Sequence, residues 1–250
     1  MLPAFSVVIP AFNEAIRIGD TLQATMAYLE NTSPESEIIV VNDGSTDGTG
    51  DVVRKVFAKH AFQATRLLEN FPNRGKGVAV QKGLLASSKP IGAFFDADLS
   101  TPIKELPKIV EPIATGRLDI AFGSRALDRK LIGNRQSWRR EQAGRVFNLI
   151  VRLATGLPFW DTQCGFKAFR MASCRPIIEA ARIEGFGFDV ELLLLAQHAG
   201  LKLEEIPVRW NHCEGSKVHF VHDSLRMLRE VIALRSHLKA GDYDVALLRV

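Results

Sequence analysis

The stretch Ile91-Gly92-Ala93-Phe94-Phe95-Asp96-Ala97-Asp98-Leu99-Ser100 decides how the chain reads. Five residues without charge end in two aspartates one residue apart. The apolar run has the length and composition of a strand buried on both faces, and the carboxyl end of such a strand is where an open α/β sheet places its ligands. Two carboxylates at that edge repel each other and lose hydration unless a cation sits with them. A hard divalent ion, Mg²⁺ or Mn²⁺, suits oxygen ligands and brings substrate phosphates with it. Alone, an Asp-x-Asp is also what a solvated surface loop looks like.

Outward from this stretch the first half alternates strand and helix. Strands are expected at residues 5–9, 37–42, 64–68, 91–95 and 118–122, and helices at 15–29, 46–59 and 75–87. Ser45 or Thr46 is expected to cap the second helix, and Thr101 the helix after the central strand, with Pro102 at its first position. This order predicts an α/β fold, a mostly parallel sheet covered on both faces. After Ser124 the pattern changes. Residues 138–155 read as a long helix with Val146, Leu149, Ile150 and Leu153 at helical spacing. A strand at 165–169, an apolar helix at 189–198 and a strand at 203–210 follow; Pro207 points to an edge position. Residues 224–239 form an amphipathic helix that either packs on the domain or lies on a membrane.

The composition is that of an ordinary globular protein: 250 residues, 46% hydrophobic and 24% charged. No run of 18 apolar residues offers a spanning helix. The start, Met1-Leu2-Pro3-Ala4-Phe5, lacks a basic n-region and a cleavage site, so no signal peptide is expected. Cys164, Cys174 and Cys213 have no metal spacing, and reduced thiols in a cytoplasmic protein are expected. The net charge of +4 suits anionic substrates or a membrane surface as well as nucleic acid. From Arg125 to Arg152 eight basic residues face only Asp128 and Glu141, either a solvated helix face or a basic rim for phosphates or anionic headgroups. No Gly-x-Gly-x-x-Gly follows the first strand, which argues against a dinucleotide-dependent dehydrogenase.

Three of the expected strands lead into carboxylates, which puts Glu14, Asp43, Asp96 and Asp98 on one edge of one sheet. The segments VVIPAFNE (7–14), IIVVNDGSTDGT (38–49), NRGKGVAVQKGL (73–84), FFDADLSTP (94–102) and FGSR (122–125), in this order, resemble family 2 glycosyltransferases of the GT-A fold. DTQCGFKAFR (161–170), GFGFDVELLLLA (185–196) and PVRW (207–210) followed by GSK (215–217) resemble the dolichyl-phosphate glucosyltransferase and mannosyltransferase branch.

The resemblance implies roles residue by residue. Pro10, Phe12 and Glu14 would border the base and ribose of a nucleotide, with Val41 and Ala97 on the same donor side, and Asp43 would accept a hydrogen bond from the base. Lys76, at a helix start, would sit by the phosphates. Asp96 and Asp98 would hold metal and ribose, and the metal, Mg²⁺ or Mn²⁺, would neutralise the leaving diphosphate. Ser100 stands as third metal contact where the mannosyl branch often has Gln, a departure that tilts the reading toward the glucosyl branch. Arg125 would hold the acceptor's phosphate, and Ser216-Lys217 would close over the diphosphate. The arginine that precedes this lysine in the mannosyl branch is absent, with Arg209 as a substitute. Asp161 would orient a phosphate acceptor; Asp161 or Asp189 would be the base if the acceptor were a sugar hydroxyl. Phe159, Trp160, Phe166, Phe186 and Phe188 would either receive an isoprenoid or form a second small core.

The implied protein is a metal-dependent inverting hexosyltransferase. It would act on UDP-glucose first and GDP-mannose second, with a polyprenyl phosphate as acceptor. The alternatives are a transferase acting on a glycan hydroxyl and a nucleotide-binding scaffold without catalysis. The expected organisation is one GT-A domain, with a nucleotide-sugar half at 1–124, an acceptor side at 125–220 and a C-terminal helix and tail at 221–250. It would be cytoplasmic or peripheral on the cytoplasmic membrane face, and nucleic acid is not among the expected partners.

Overall fold

The computed structural model describes residues 1–60, 62, 64–134, 138–213, 220–241 and 243. Seven strands form one sheet in the order β3-β2-β1-β4-β6-β5-β7. They are β1 (Ser6–Ala11), β2 (Glu37–Asp43), β3 (Thr65–Asn70), β4 (Ile91–Phe95), β5 (Ile120–Ser124), β6 (Phe166–Arg170) and β7 (Leu203–Pro207). The helices are α1 (Ile18–Thr32), α2 (Thr49–Lys59), α3 (Lys76–Leu85), α4 (Leu106–Ala114), α5 (Trp138–Thr155), α6 (Met171–Ala180), α7 (Phe188–His198) and α8 (Phe220–Ala240). All strand pairs are parallel except the two made by β6, which runs antiparallel between β4 and β5. The carboxyl ends of β1, β2, β4 and β5 therefore share one edge with the start of β6.

Hydrophobic pattern explains this arrangement. β1, β2 and β4 are buried along their whole length, as parallel strands covered by helices must be. Val8, Ile39, Val41 and Phe94 pack on one side of the sheet, and Val7, Ile9, Ile38 and Phe95 on the other. β7 lies at the sheet edge, in line with Pro207. Pro10 does not stop β1, which continues to Ala11. The β1–β4 pairing ends at Val8 while the β1–β2 pairing runs on to Ala11, so Pro10 lies where one flank of the strand is already free.

Local turn chemistry departs from expectation in two places. Ser45 and Thr46 do not cap α2; the N-cap position is Gly48 at φ 87°, and Asp47 before it accepts from the Thr49 N–H at 3.0 Å through Oδ1. Thr101 does not cap the next helix either; Pro102 precedes a 3-10 turn, Ile103–Glu105, that leads into α4. Helix α6 follows β6 without a break and has no counterpart among the expected elements.

The two late amphipathic helices behave differently. α8 packs Val231 and Leu234 into the core beside α5 and α7. α5 buries Phe147 and Val151 but leaves Val146, Leu149, Ile150 and Leu153 exposed.

Candidate active site

The loops after β1 and β2 are sewn together by their polar side chains. The Asn13 N–H donates to Ser45 Oγ at 2.8 Å, the Glu14 N–H to Thr49 Oγ1 at 2.8 Å, and the Thr46 N–H to Asn13 Oδ1 at 2.8 Å. Asn13 takes φ 55°, a conformation its short amide side chain tolerates. Of the expected nucleotide contacts, Phe12 is exposed and Pro10 is buried in the strand. Val41 is wholly buried in the sheet, so its side chain has no face for a ligand. Glu14 is bound by Arg17 through both carboxylate oxygens, and that hydrogen bond raises the Arg17 pKa against the opposing effect of burial.

Asp43 is occupied by the chain itself. Its Oδ1 accepts from Asn70 Nδ2 at 2.8 Å and the Arg74 N–H at 3.1 Å. Its Oδ2 accepts from Asn73 Nδ2 at 2.8 Å and the Gly75 N–H at 2.7 Å. The buried carboxylate thus ties the β3–α3 loop and the start of α3 to the end of β2. Of the four carboxylates expected on this edge, Asp43 and Glu14 thus both have protein donors.

Asp96 and Asp98 differ. The Ala97 carbonyl accepts from Thr21 Oγ1 at 2.6 Å, which anchors the buried middle of the motif to α1. Leu99, at φ 48°, turns the chain sharply after it. The Ser100 N–H donates to Asp98 Oδ1 at 2.9 Å, and the Ser100 carbonyl accepts from the Asn211 N–H at 2.7 Å. Lys76 Nζ lies 2.5 Å from Asp96 Oδ1. Burial would lower the Lys76 pKa, but Asp96, Asp189 and Asp98 outweigh it and hold the ammonium charged. Gly165 leaves room for the Asp96 carboxylate: a Cβ there would push that carboxylate from its place.

The donor set fits a hard cation. Both carboxylates are partly exposed at the strand end, and among the described residues no third His, Cys, Asp or Glu joins them. One or two carboxylates completed by substrate phosphates is how Mg²⁺ is commonly held.

On the acceptor side Arg125 and Asp161 form a bidentate pair. Arg125 Nε and Nη2 each donate to Asp161 at 2.7 Å, and the Arg125 N–H donates at 2.9 Å. Glu205 supports the pair from below, accepting from Ser124 Oγ at 2.6 Å and from the Trp160 and Asp161 N–H groups at 2.8 Å. Burial would raise the Asp161 pKa, but Arg125 overrides it and holds the carboxyl below the usual range. Arg125 lines a cavity of about 500 Å³ with Arg129, Arg145, Leu149, Trp160 and Trp210.

Asp189 is paired with the fully buried Lys167, whose Nζ lies 2.6 Å away, and burial raises the Asp189 pKa. The five aromatic residues divide. Phe166 and Phe188 are core, Phe159 packs edge-on to Phe122 at 4.9 Å, Phe186 is half-buried, and Trp160 is exposed. Arg209 turns to Glu105, its N–H donating to Glu105 Oε2 at 3.1 Å, and it lies beyond the end of β7. Ser216 and Lys217 lie outside the described residues.

Sequence reading missed Arg17, Glu205 and Lys167. Lys167 carried a signal, a charge between the apolar Phe166 and Ala168 of β6; Glu205 and Arg17 gave none before the strands were placed.

The edge described here, an open Asp-x-Asp beside a lysine and an arginine-lined cavity, belongs to a family that the chain matches directly. Residues 6–178 match the model of glycosyl transferase family 2, and the chain belongs to that family. Among curated relatives, the dolichyl-phosphate beta-glucosyltransferase of Drosophila melanogaster is 35% identical over 96% of this chain and 77% of its own length. The enzymes of that name from Dictyostelium discoideum and Homo sapiens are 33% and 32% identical, over 96% and 94% of this chain and 76% of their own lengths. Among solved structures, glucosyl-3-phosphoglycerate synthase from Mycobacterium tuberculosis, in complex with Mn²⁺, UDP-glucose and phosphoglyceric acid, superposes with a TM-score of 0.65. It shares 22% sequence identity, covering 93% of this chain and 78% of that one, and carries the same GT-A fold.

Proposed function

We propose that this protein transfers glucose from UDP-glucose, with inversion, to a dolichyl or other polyprenyl phosphate, working peripherally at the cytoplasmic face of a membrane. The glucosyl group and the acceptor follow the names of the curated relatives, which match nearly the whole chain, and UDP-glucose is the donor bound in the solved structure of the same fold. The observation that favours a phosphate over a sugar hydroxyl is the state of the two candidate bases. Asp161 is locked to Arg125 with a depressed pKa, and Asp189 is buried against Lys167. Neither is placed to take a proton from an incoming hydroxyl. A phosphate needs no such help, since its second ionisation lies near pH 6.

In this reading Asp96 and Asp98, with Ser100 as a third contact, would hold Mg²⁺ or Mn²⁺. The bound ion supplies Lewis-acid stabilisation of the charge on the departing UDP. Lys76 adds a fixed positive charge beside that position. Pro10, Phe12 and Glu14 border the nucleoside. Ser216 and Lys217 close over the diphosphate. Asp161 takes two of the five guanidinium N–H donors of Arg125 and leaves the others for a phosphate in the cavity. The acceptor oxygen, held there, attacks the anomeric carbon on the face opposite the diphosphate. The new carbon–oxygen bond forms as the bond to the β-phosphate oxygen breaks, and that oxygen leaves with the electron pair.

The test is nucleotide release from UDP-glucose and from GDP-mannose, with Mg²⁺ or Mn²⁺ or with chelator, in the presence and absence of a short polyprenyl phosphate. Lipid-dependent, metal-dependent UDP release that vanishes in Asp98→Ala is expected. Release from GDP-mannose alone would transfer the protein to the mannosyl branch, and no lipid-dependent release from either donor would refute the reading.

A further inference from the structure

We infer that the outward face of α5 is a docking surface for an anionic lipid bilayer, and that it brings the mouth of the Arg125 cavity to headgroup level. The inference deepens the proposed function and rests on it for the purpose of the docking, though not for the surface itself. Val146, Leu149, Ile150 and Leu153 recur at i, i+3, i+4 and i+7, one face of a helix. All four are exposed, Leu153 by 75% and Val146 by 57%, whereas Phe147 and Val151 on the opposite face are buried. An apolar stripe on a helix already anchored by its other face is a surface awaiting an apolar partner.

Charge complementarity names the partner. Arg145 and Arg152 are seven residues apart, so they line one border of the stripe two helical turns from each other. Arg129 joins Arg145 at Glu141, and with Arg152 these three cations outnumber Glu141 and the neighbouring Asp128. An excess of cations on the rim of an apolar stripe is the make-up of a helix that lies in a negatively charged membrane interface. Trp160 adds the aromatic residue that prefers this depth; it is 55% exposed, with the Arg152 guanidinium 3.8 Å from its ring centre. Leu149 and Trp160 also line the Arg125 cavity, so the stripe runs into the site without a break. A second copy seated across a two-fold axis would instead set two rows of arginines against one rim. Among the described residues no helix is long and apolar enough to cross a membrane, so the surface would lie on the bilayer rather than in it.

Flotation with vesicles of phosphatidylcholine alone, and with a quarter phosphatidylglycerol, tests this on the full chain. The wild type is expected to bind the anionic vesicles at least tenfold better. Val146→Glu/Leu153→Glu, at two exposed positions off the cavity lining, is expected to lose at least tenfold of that binding with an unchanged thermal melt. Failure of the wild type to float, flotation of the double variant like wild type, or a dimer in sedimentation that the double variant dissolves would each overturn the inference. UDP release with a water-soluble short-chain prenyl phosphate is measured alongside and is expected to be the same in both proteins. Its absence with flotation intact would remove the transfer reading and leave the surface; its presence without flotation would remove the surface alone.

Discussion

Asp43 ends strand β2 and Asp98 follows strand β4, the two strands that flank β1, and the two aspartates do opposite work. Asp43 is buried and accepts from four protein donors, so its charge is spent on holding the chain. Asp98 accepts one backbone N–H, from Ser100, and stays partly exposed beside a second carboxylate. Side-chain type and topological position are the same; what differs is the supply of donors. β3 ends in Asn70 and is followed by Asn73 and Gly75, which reach back to β2, whereas β4 is followed by a two-residue turn with little to donate. A carboxylate at a sheet edge is therefore available for a cation in proportion to what its own loop leaves unpaired.

The contrast predicts opposite phenotypes. Asp98→Ala is expected to reduce the rate of transfer by about a thousandfold, equivalent to about 4 kcal/mol in the barrier. Its cost in stability is expected to stay within about 1 kcal/mol, that of one hydrogen bond. Turnover of UDP-glucose and a urea denaturation curve on the same preparation read both quantities. Asp43→Ala is expected to reverse the pattern. The four donors are part-buried, so water can replace the acceptor at most of them, and a loss of about 3 kcal/mol in unfolding free energy, the cost of one buried donor left unpaired, is the expected scale. An Asp43→Ala protein that unfolds like wild type would break the comparison at its root.

Gly165→Ala probes the open side more gently. The added Cβ would press on the Asp96 carboxylate, which must then shift away from Lys76. Displacement of a reacting group by about 1 Å costs up to about a hundredfold in rate. The expected result is a drop of that order in turnover, with a KM for UDP-glucose that rises as the metal concentration is lowered. An unaltered rate would mean that the Asp96 position is not critical.

Much of this was legible in the sequence, because the first half obeys simple periodicities. The apolar runs of β1, β2 and β4 fix both their burial and their parallel order, and Ile91–Phe95 begins and ends where the residues say it should. The split between Asp43 and Asp98 was not legible, since it depends on donors 27 to 32 residues away in the chain. The same holds on the acceptor side, where Glu205 supports Arg125 and Asp161 from 44 residues beyond Asp161. Helical spacing gave α5 and α8 as helices, 138–155 matching α5, but it carries no information on which apolar face finds a partner. Val231 and Leu234 of α8 are covered, and Leu153 of α5 is not.

The acceptor side offers a third kind of carboxylate, one held by a cation. Asp161 is as buried as Asp43, yet its principal partner is a cation, Arg125, rather than a set of amides. Its folded pKa lies below the ordinary aspartate value of about 3.9. The linkage then has a definite sign: the unfolded chain takes up the proton first as pH falls. The stability that the pair contributes is complete above about pH 4 and is lost as pH drops through the lower, folded pKa. One group of this kind adds at most about 1.4 kcal/mol per pH unit to the acid limb of stability. The difference in unfolding free energy between wild type and Asp161→Asn is therefore expected to be constant from pH 7 to 5 and to shrink below pH 4. A difference that grows on acidification would mean that Asp161 holds a proton in the folded state. That result would return it to the role of general base, and with it the sugar-hydroxyl acceptor that its ion pair with Arg125 argues against.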